Sequence, residues 1–469
     1  MLKERIGYGF GDMSSSMFWK IFSAYLPLFY AQVFHLDLGV TAVLMLVTRI
    51  WDAVSDPLMG IIADRTHSRW GKYRPYLLWI ALPFAISGVL LFTTPGESVR
   101  TVWAFATYIL MMTVYTAINV PYGSMLGVMT ADSQEKTVFS SYRMFFAYGG
   151  SFLVLAFWEP LVNWFSDVWF QRAGNASVSY DPQSWQAAMI VVSVVCALLF
   201  VLTFLMTCEH VTQSQPTASV VSDLASLLRN GPWWIMLGAV LFFNFFGAIR
   251  YSVIPFLFTT LIPSDASISV FSWQFAFYAG LFLAVGEVAN MAGVACTAFI
   301  TRWIGKKGTF LACLALLIVL HLALYFVVVP NDGNTIVGND IYVLLFVIQI
   351  AVSILTGIIS PLIWSMYADV ADYAIHRFHS ASTALIFSSS SMAQKFGGAF
   401  GASAVLWLLA AFHFDTTEGV TTQSAEAIDG IRLLISVIPA AVAAISALFM
   451  LAYPLTTRRM KEIIETINN

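Results

Sequence analysis

Long apolar segments separated by short polar ones recur along the whole chain of 469 residues. A helix needs about 20 apolar residues to cross the roughly 30 Å hydrocarbon core of a bilayer. Apolar segments of that length fall at twelve places, which are 11–34, 39–63, 74–95, 101–129, 138–165, 186–207, 232–262, 268–300, 308–329, 341–367, 381–412 and 430–456. This pattern predicts an all-α membrane protein with twelve transmembrane helices.

The composition agrees with that prediction. Hydrophobic residues make up 59% of the chain and charged residues 10%, with a mean hydropathy of +0.78, whereas about a quarter of the residues of a soluble domain are charged. Of the 23 basic residues, fifteen lie on the side of the termini, three lie in the opposite loops and five lie inside spans. We therefore expect both termini in the cytoplasm. The first span has no small-residue cleavage site before it, so no cleavable signal peptide is expected.

The chain divides into two similar halves at its longest predicted cytoplasmic connection. Two Gly-Lys pairs, at 71–72 and 305–306, lie 234 positions apart at equivalent loops, and two Ala-Asp pairs, at 131–132 and 368–369, have nearly the same offset. Equal offsets indicate a duplicated six-helix unit, as in transporters that hold substrate between two bundles and open alternately to each side. The predicted parts are a first bundle at 1–207, a connecting loop at 208–231, a second bundle at 232–457 and a cytoplasmic tail at 458–469.

Three charges interrupt the second apolar segment, in the stretch Arg-Ile-Trp-Asp-Ala-Val-Ser-Asp-Pro-Leu-Met-Gly at 49–60. Placing an acidic residue at the centre of a spanning helix raises the free energy of membrane insertion by about 2.5–3.5 kcal/mol. Asp52 and Asp56, four residues apart, share one helix face with Ser55 beside them. These oxygens suit a small monovalent cation such as Na⁺, or one carboxylate keeps a proton and couples to H⁺. The remaining interpretation is a structural ion pair between Arg49 and one Asp; we favour cation coupling.

Other polar and aromatic residues at membrane depth have the chemistry that a sugar requires, namely amides, charged donors and aromatic faces. The candidates for sugar binding are Trp19, Tyr115, Asn119, Arg143, Trp364 and Lys395. For most aromatic residues of the chain, packing or an interfacial belt is the simpler explanation. Arg250 and Glu287, both mid-span, are expected to neutralise one another.

The loop at 64–74 carries one acid and four bases around a glycine. Basic residues here follow from cytoplasmic orientation alone, but the mixture of charges is richer than orientation requires. We therefore interpret Asp64, Arg65, Arg69 and Lys72 as a gating loop, which joins helix ends by charge-assisted bonds in one state of a transport cycle and releases them in the other.

Several of these stretches resemble the signature of the glycoside–pentoside–hexuronide:cation symporters of the major facilitator superfamily, and the resemblance covers nearly the whole chain. The stretches that carry it are 49–60, 63–76, Gly-Tyr-Gly-Phe-Gly-Asp at 7–12, Asn-Val-Pro-Tyr-Gly at 119–123, Trp-Ser-Met-Tyr-Ala-Asp-Val-Ala-Asp-Tyr at 364–373 and Ala-Gln-Lys-Phe-Gly-Gly at 393–398. The resemblance implies two six-helix bundles. It implies a cation site at Asp52, Ser55, Asp56 and Thr116, and a sugar site at Ser16, Tyr115, Asn119, Arg143, Ser391 and Lys395.

The chain departs from melibiose permease, a member of that family, at three of these positions. Ser55 stands where that protein has Asn, which leaves the choice between Na⁺ and H⁺ open. Ser16 and Asn119 stand where it has the two Asp residues that bind sugar, so specificity for α-galactosides is not transferred. The set Lys395, Arg143 and Asn119 looks more like the xyloside and pentoside members, and its surplus positive charge also suits a hexuronide.

We therefore expect a secondary transporter of the bacterial inner membrane that couples uptake of a sugar glycoside, pentoside or hexuronide to Na⁺ or H⁺. No cofactor is expected beyond the coupling ion. The expected partners are the sugar, the monovalent cation and the lipid bilayer, with no nucleic acid, and the expected state is a monomer. One alternative is transport of a lysolipid or another amphiphile. An intramembrane enzyme is disfavoured, because no metal-ligand cluster and no nucleophile–base pair lies at membrane depth.

Overall fold

The structure is a computed structural model, and it describes residues 2–130, 133–171, 178–210, 227–270, 272–332, 334–378, 383–416, 422–456, 459–460 and 462–463. The side chains of some helical residues, among them Arg49, Asp64 and Ser391, lie outside the described part. The predicted connecting loop at 208–231 and the predicted tail at 458–469 are described only in part, so these two boundaries stay predictions.

The first half consists of long apolar helices. These are α1 (Leu2–Ala24), α2 (Leu38–Asp64), α3 (Arg74–Trp79), α4 (Ala81–Leu91), α5 (Arg100–Met129), α6 (Ser133–Trp164) and α7 (Pro182–Met206). The short turns Leu26–Leu28 and Phe29–Val33 extend α1, and α3 and α4 together make the third predicted span. Helix α7 begins after Asp181, whose carboxylate accepts the Ser184 amide at 3.0 Å as an N-cap.

The second half repeats this arrangement. It contains α8 (Gly231–Leu261), β1 (Ser267–Val270), β2 (Trp273–Ala276), α9 (Ala279–Val327), α10 (Asn339–Phe378), α11 (Thr383–Ala411), α12 (Ala425–Ile435) and α13 (Val437–Ala452). Element α9 comprises two helices, the predicted eighth and ninth spans, which meet at Gly305, where the backbone is not helical. Helices α12 and α13 are two parts of the last span, broken at Ser436. Within the described residues, eight helices are long and apolar enough to cross a membrane.

The predicted start of the eighth span, residue 268, is wrong. Strands β1 and β2 form an antiparallel hairpin there, with Ser267 opposite Ala276 and Val270 opposite Trp273. Polar and apolar residues alternate in Ser-Ile-Ser-Val and in Trp-Gln-Phe-Ala, which is the period of a strand rather than of a helix. The hydropathy average hid this alternation, so the span begins at Ala279. With that change, and with α9 taken as two crossings, the predicted twelve-helix fold is confirmed.

The repeated Gly-Lys pairs occupy matching kinks in the two halves. Gly71 has φ +114° and Gly305 has φ +72°, a conformation that residues with a side chain rarely adopt. After the first kink, Glu209 accepts the backbone amides of residues 72–74 at 2.7–2.8 Å. After the second kink, Lys306 Nζ lies 2.7 Å from both carboxylate oxygens of Asp369. Each kink is therefore held by a carboxylate from a later segment of its own half.

The halves meet mainly at two helix pairs, and α1 also packs against α8. Helix α2 packs against α11, and α6 packs against α9. Small residues allow close approach, since a Cβ atom on Gly280 of α9 would overlap the carbonyl of Leu155 in α6. The remaining face between the halves encloses a cavity.

Candidate functional site

A cavity of about 600 Å³ lies between the two halves. Its walls come from α1, α2, α5 and α6 of the first half and from α8, α10 and α11 of the second. The predicted residues that line it are Ser16, Trp19, Asp56, Tyr115, Thr116, Asn119, Arg143, Trp364 and Lys395. A ligand in this cavity contacts both halves, which is where a transporter of two bundles holds its substrate.

Among the four predicted cation-site residues, Asp56 and Thr116 line the cavity, and Ser55 lies within reach of Thr116. Asp52 and Ser55 are buried in α2, and Asp56 is partly buried one turn further along. Thr116 of α5 donates to Asp56 Oδ1 at 2.9 Å, and its hydroxyl lies 3.5 Å from that of Ser55. Two carboxylates and two hydroxyls supply the hard oxygen donors that Na⁺ requires, or a place for one proton. Their role in coupling stays a prediction.

Lys395 connects this cluster with the second half. Its ammonium group, on α11, donates a short hydrogen bond to Asp56 Oδ2 across the face between the halves. The sequence placed Lys395 in the sugar site and Asp56 in the cation site, and the structure brings the two residues into contact. The alternative of an Arg49 ion pair is not tested, because the Arg49 side chain lies outside the described part of the chain.

Next to the cation cluster, amide and aromatic groups form a second wall. Ser15 donates to the Asn119 side-chain oxygen at 2.7 Å, and the Asn119 amide donates to the carbonyl of Tyr115 at 3.1 Å. The ring of Tyr115 lies 5.9 Å from that of Trp19, centroid to centroid, with an angle of 37° between their planes. These bonds fix the orientation of Asn119, while the rings present an apolar face of the kind on which sugars pack.

Arg143 lies in the cavity as predicted, but it already has a carboxylate partner. Its guanidinium group contacts both oxygens of Asp12, at 3.0 and 3.2 Å. It also lies 5.4 Å from the ring centroid of Tyr122. Asp12 lines the cavity, although the sequence assigned it no role. The signal was present, since Asp12 is an acid within the first apolar span.

Arg250 and Glu287, which we expected to neutralise one another, form no direct ion pair among the described contacts. Glu287, fully buried in α9, accepts a hydrogen bond from Lys20 of α1 at 2.6 Å and a short one from the Tyr251 hydroxyl. Arg250 donates to the Gln349 side chain instead. Arg250 and Tyr251 are adjacent, so their side chains leave α8 about 100° apart, and only Tyr251 is directed to the cavity.

The other predicted residues are Ser391 and the four of the gating loop. Ser391 lies in α11, and Asp64 ends α2, but the side chains of both fall outside the described residues. In the predicted gating loop, Arg65 is exposed, Arg69 lies 4.4 Å from the Trp70 ring centroid, and Lys72 lies 5.0 Å from that of Tyr73. The role of this loop in gating stays a prediction.

Two helical bundles around a cavity with inward-facing charges define a class of protein, the secondary transporters of the major facilitator superfamily. Solved structures with this fold include a nucleoside transporter, NupG, with 14% identity and a TM-score of 0.63 over 96% of this chain and 98% of that one. Another is a bacterial homologue of the human lysosomal transporter Spinster in an inward-facing, unoccupied conformation, with 13% identity and a TM-score of 0.65 over 98% of this chain and 97% of that one. Identities this low show the fold alone.

The family model described as MFS/sugar transport protein matches residues 7–457. Similar curated proteins are the inner membrane symporter YicJ of Escherichia coli, 31% identical over 99% of this chain and 95% of the relative, and the putative glycoside/cation symporter YagG of the same organism, 32% identical over 98% and 94%. The isoprimeverose transporter of Lactiplantibacillus pentosus is 31% identical over 95% of this chain and 88% of the relative. The chain belongs to this sugar-transport family, in its glycoside–pentoside–hexuronide:cation symporter branch.

Proposed function

We propose that the protein is a cation-coupled sugar symporter of the bacterial inner membrane, and that it imports a glycoside, pentoside or hexuronide. The observation that carries this proposal is the contact between Lys395 and Asp56, because it connects a cluster of cation ligands with the wall of a sugar-sized cavity. The names of the relatives support the same class of activity.

Coupling follows from the position of Lys395 between the two proposed sites. A cation at Asp52 and Asp56 competes with the ammonium group of Lys395 for the Asp56 carboxylate. Release of that ammonium group turns it toward the cavity, where it donates to a sugar hydroxyl. Binding of the cation thereby raises the affinity for sugar, and sugar raises the affinity for the cation by the same factor.

The direction of opening follows from where the halves touch. Tyr278, before α9, donates to the carbonyl of Ala156 at 2.7 Å, and Ser252 donates to the carbonyl of Ser23 at 3.2 Å. Both contacts lie in the C-terminal parts of α1, α6 and α8. With the termini in the cytoplasm, this closed end faces outward and the cavity is accessible from the cytoplasm. Alternating access opens these contacts and closes the opposite end.

The lysolipid alternative is not favoured, because several charged side chains and the amide of Asn119 line the cavity. Asp12 and Arg143, Asp56 and Lys395, and Lys20 all line the cavity. An acyl chain in contact with these groups would remove them from water without giving a hydrogen bond in return.

The proposal is tested by thermal unfolding of the purified protein with methyl xylosides, methyl galactosides, methyl glucuronides and a xylosyl-glucose disaccharide, each with and without Na⁺ and at two pH values. A ligand at 100 times its dissociation constant stabilises the folded state by about 2.7 kcal/mol. We expect one sugar class to raise the melting temperature, and the coupling cation to enlarge the increase. If no sugar in the panel stabilises the protein, the proposed function is refuted.

A further inference from the structure

A charged cluster lies at the closed end of the cavity, where the two halves touch. It is separate from the cation site and has no role in the function proposed so far. It consists of Lys20 from α1, Tyr251 from α8 and Glu287 from α9. Lys20 and Tyr251 line the cavity, while the side chain of Glu287 lies behind them and is 1% exposed. The cluster therefore presents an ammonium group and a phenol to the cavity, backed by a hidden carboxylate.

Glu287 fixes the direction of the Lys20 ammonium group. The Lys20 nitrogen lies 2.6 Å from Glu287 Oε1 and 3.1 Å from the Tyr251 hydroxyl, and Tyr251 in turn donates to Glu287. An ammonium group has three hydrogens to donate. Two of them serve these described contacts, so one remains for a group in the cavity, which Lys20 lines.

The cluster is not completed by the described protein groups. Glu287 Oε2 is buried and has no hydrogen-bond partner among the described residues. A buried carboxylate oxygen without a donor is unfavourable in a membrane protein as in a soluble one. Because the Glu287 side chain is 1% exposed, a ligand in the cavity reaches this cluster through Lys20 and Tyr251, which line the cavity.

We propose that Lys20 is a substrate-binding residue that donates a hydrogen bond to an uncharged hydroxyl of the sugar at the closed end of the cavity. Glu287 and Tyr251 are the residues that position Lys20. This inference rests on the proposed function and adds a specificity-determining contact to it. Because Glu287 offsets the charge of Lys20, the contact recognises a hydroxyl rather than a carboxylate. Arg250 also lies within electrostatic reach of Glu287, but it is buried and donates to Gln349.

The experiment combines substitutions in the protein with deletions in the ligand. Dissociation constants are measured for the sugar of the panel that binds the wild type best and for each of its monodeoxy analogues. The variants are Lys20→Met, Glu287→Gln and, as a matched control, Glu159→Gln. Glu159 is another buried carboxylate between the halves, but it accepts from Tyr25 and from the Gly280 amide and does not line the cavity.

For Lys20→Met we expect affinity for the parent sugar to fall about tenfold or more, the usual effect of losing a hydrogen bond from a charged donor. One monodeoxy analogue should bind the wild type as poorly as the parent sugar binds Lys20→Met. That analogue should bind Lys20→Met no worse than the parent sugar does. Glu287→Gln leaves the ammonium group without its counter-charge, so the ratio of glucuronide affinity to neutral glycoside affinity rises. Glu159→Gln changes affinity for the parent and all analogues by one common factor.

Two outcomes overturn the inference. One is a folded Lys20→Met protein that binds the parent sugar as the wild type does. The other is a loss of affinity in Lys20→Met that is the same for the parent and for every deoxy analogue, since that pattern marks a purely structural role. If Lys20→Met does not fold, the same comparison is made with Lys20→Gln. Failure of the wild type to bind any sugar refutes the proposed function, whereas normal binding with an indifferent Lys20 variant refutes this inference alone.

Discussion

At the scale of single residues, Asp56 is the group on which both proposed sites depend. It accepts from Thr116 on one oxygen and from Lys395 on the other. The sequence predicted that Asp52 and Asp56 share a helix face, because a spacing of four fixes that geometry within one helix. It did not predict that Lys395, 339 positions away, supplies the opposite charge. That pairing depends on how α2 and α11 pack, which local periodicity does not encode.

Asp56→Asn tests the coupling role of this carboxylate. The amide keeps an oxygen for Thr116 but removes the charge that attracts a cation. We expect gradient-driven accumulation of sugar in membrane vesicles to be abolished, while sugar binding to the purified protein persists. Asp37→Asn is the control, because Asp37 caps the start of the same helix through the Val40 amide, at 2.9 Å, and Asn also caps. Concentrative uptake at the wild-type level by Asp56→Asn would exclude Asp56 from the cation site.

Lys395→Met tests the connection between the sites. Loss of the ammonium group removes a donor to the sugar and also frees Asp56 for the coupling cation. We therefore expect affinity for sugar to fall about tenfold, while affinity for the cation rises. Both constants are measured by titration of the purified protein, with Lys307→Met as the control, since Lys307 binds carbonyls of residues 451 and 453. A variant with normal sugar affinity and normal cation affinity would contradict the proposed coupling.

At the scale of elements, hydropathy predicted the long helices well and their interruptions poorly. Residues 268–276 average as apolar, but their alternation makes them a hairpin. The break predicted between the eighth and ninth spans is present, since Gly305 has non-helical backbone angles between two helices. The structure also revealed what holds the loop after Gly71. Glu209 accepts three consecutive backbone amides there, and a pattern of basic residues gives no sign of it.

Glu209→Ala is predicted to destabilise the cytoplasmic end of the first half. The change leaves the amides of Lys72, Tyr73 and Arg74 without their acceptor. Hydrogen bonds to a charged group contribute about 1.5–3 kcal/mol each at most, and water replaces part of that contribution here. We expect the apparent melting temperature to fall by roughly 2–4 °C or more. The control is Glu97→Ala, because the Glu97 side chain is 91% exposed. This change should leave the melting temperature unchanged. Equal melting temperatures for both variants would show that the loop is held by other contacts.

At the scale of the whole molecule, the two halves close one end of the cavity through contacts that must break when that end opens. Gly280 lies at this closure, where its amide donates to Glu159 at 2.9 Å and its Cα faces the carbonyl of Leu155. The duplication could be predicted from the sequence, because short motifs recur at nearly equal offsets. The closed end could not be predicted, since it depends on contacts between the halves, such as the one from the Gly280 amide to Glu159.

Gly280→Val places a side chain where a Cβ atom already overlaps the Leu155 carbonyl and lies 2.9 Å from the Tyr25 hydroxyl. The halves must separate at this end to accommodate it, so the population shifts toward the outward-open state. A reporter cysteine at Ser252, which is 1% exposed in the closed end, becomes accessible in that state. The experiment uses a background without Cys196, Cys208, Cys296 and Cys313. A membrane-impermeant maleimide added outside intact cells should label the reporter several-fold faster in Gly280→Val than in the protein that keeps Gly280. Gly149→Ala, where a Cβ atom has no neighbour within 4 Å, should leave the labelling rate unchanged. An unchanged rate in Gly280→Val would mean that this contact does not control outward opening, whereas faster labelling only from the cytoplasmic side would reverse the proposed orientation.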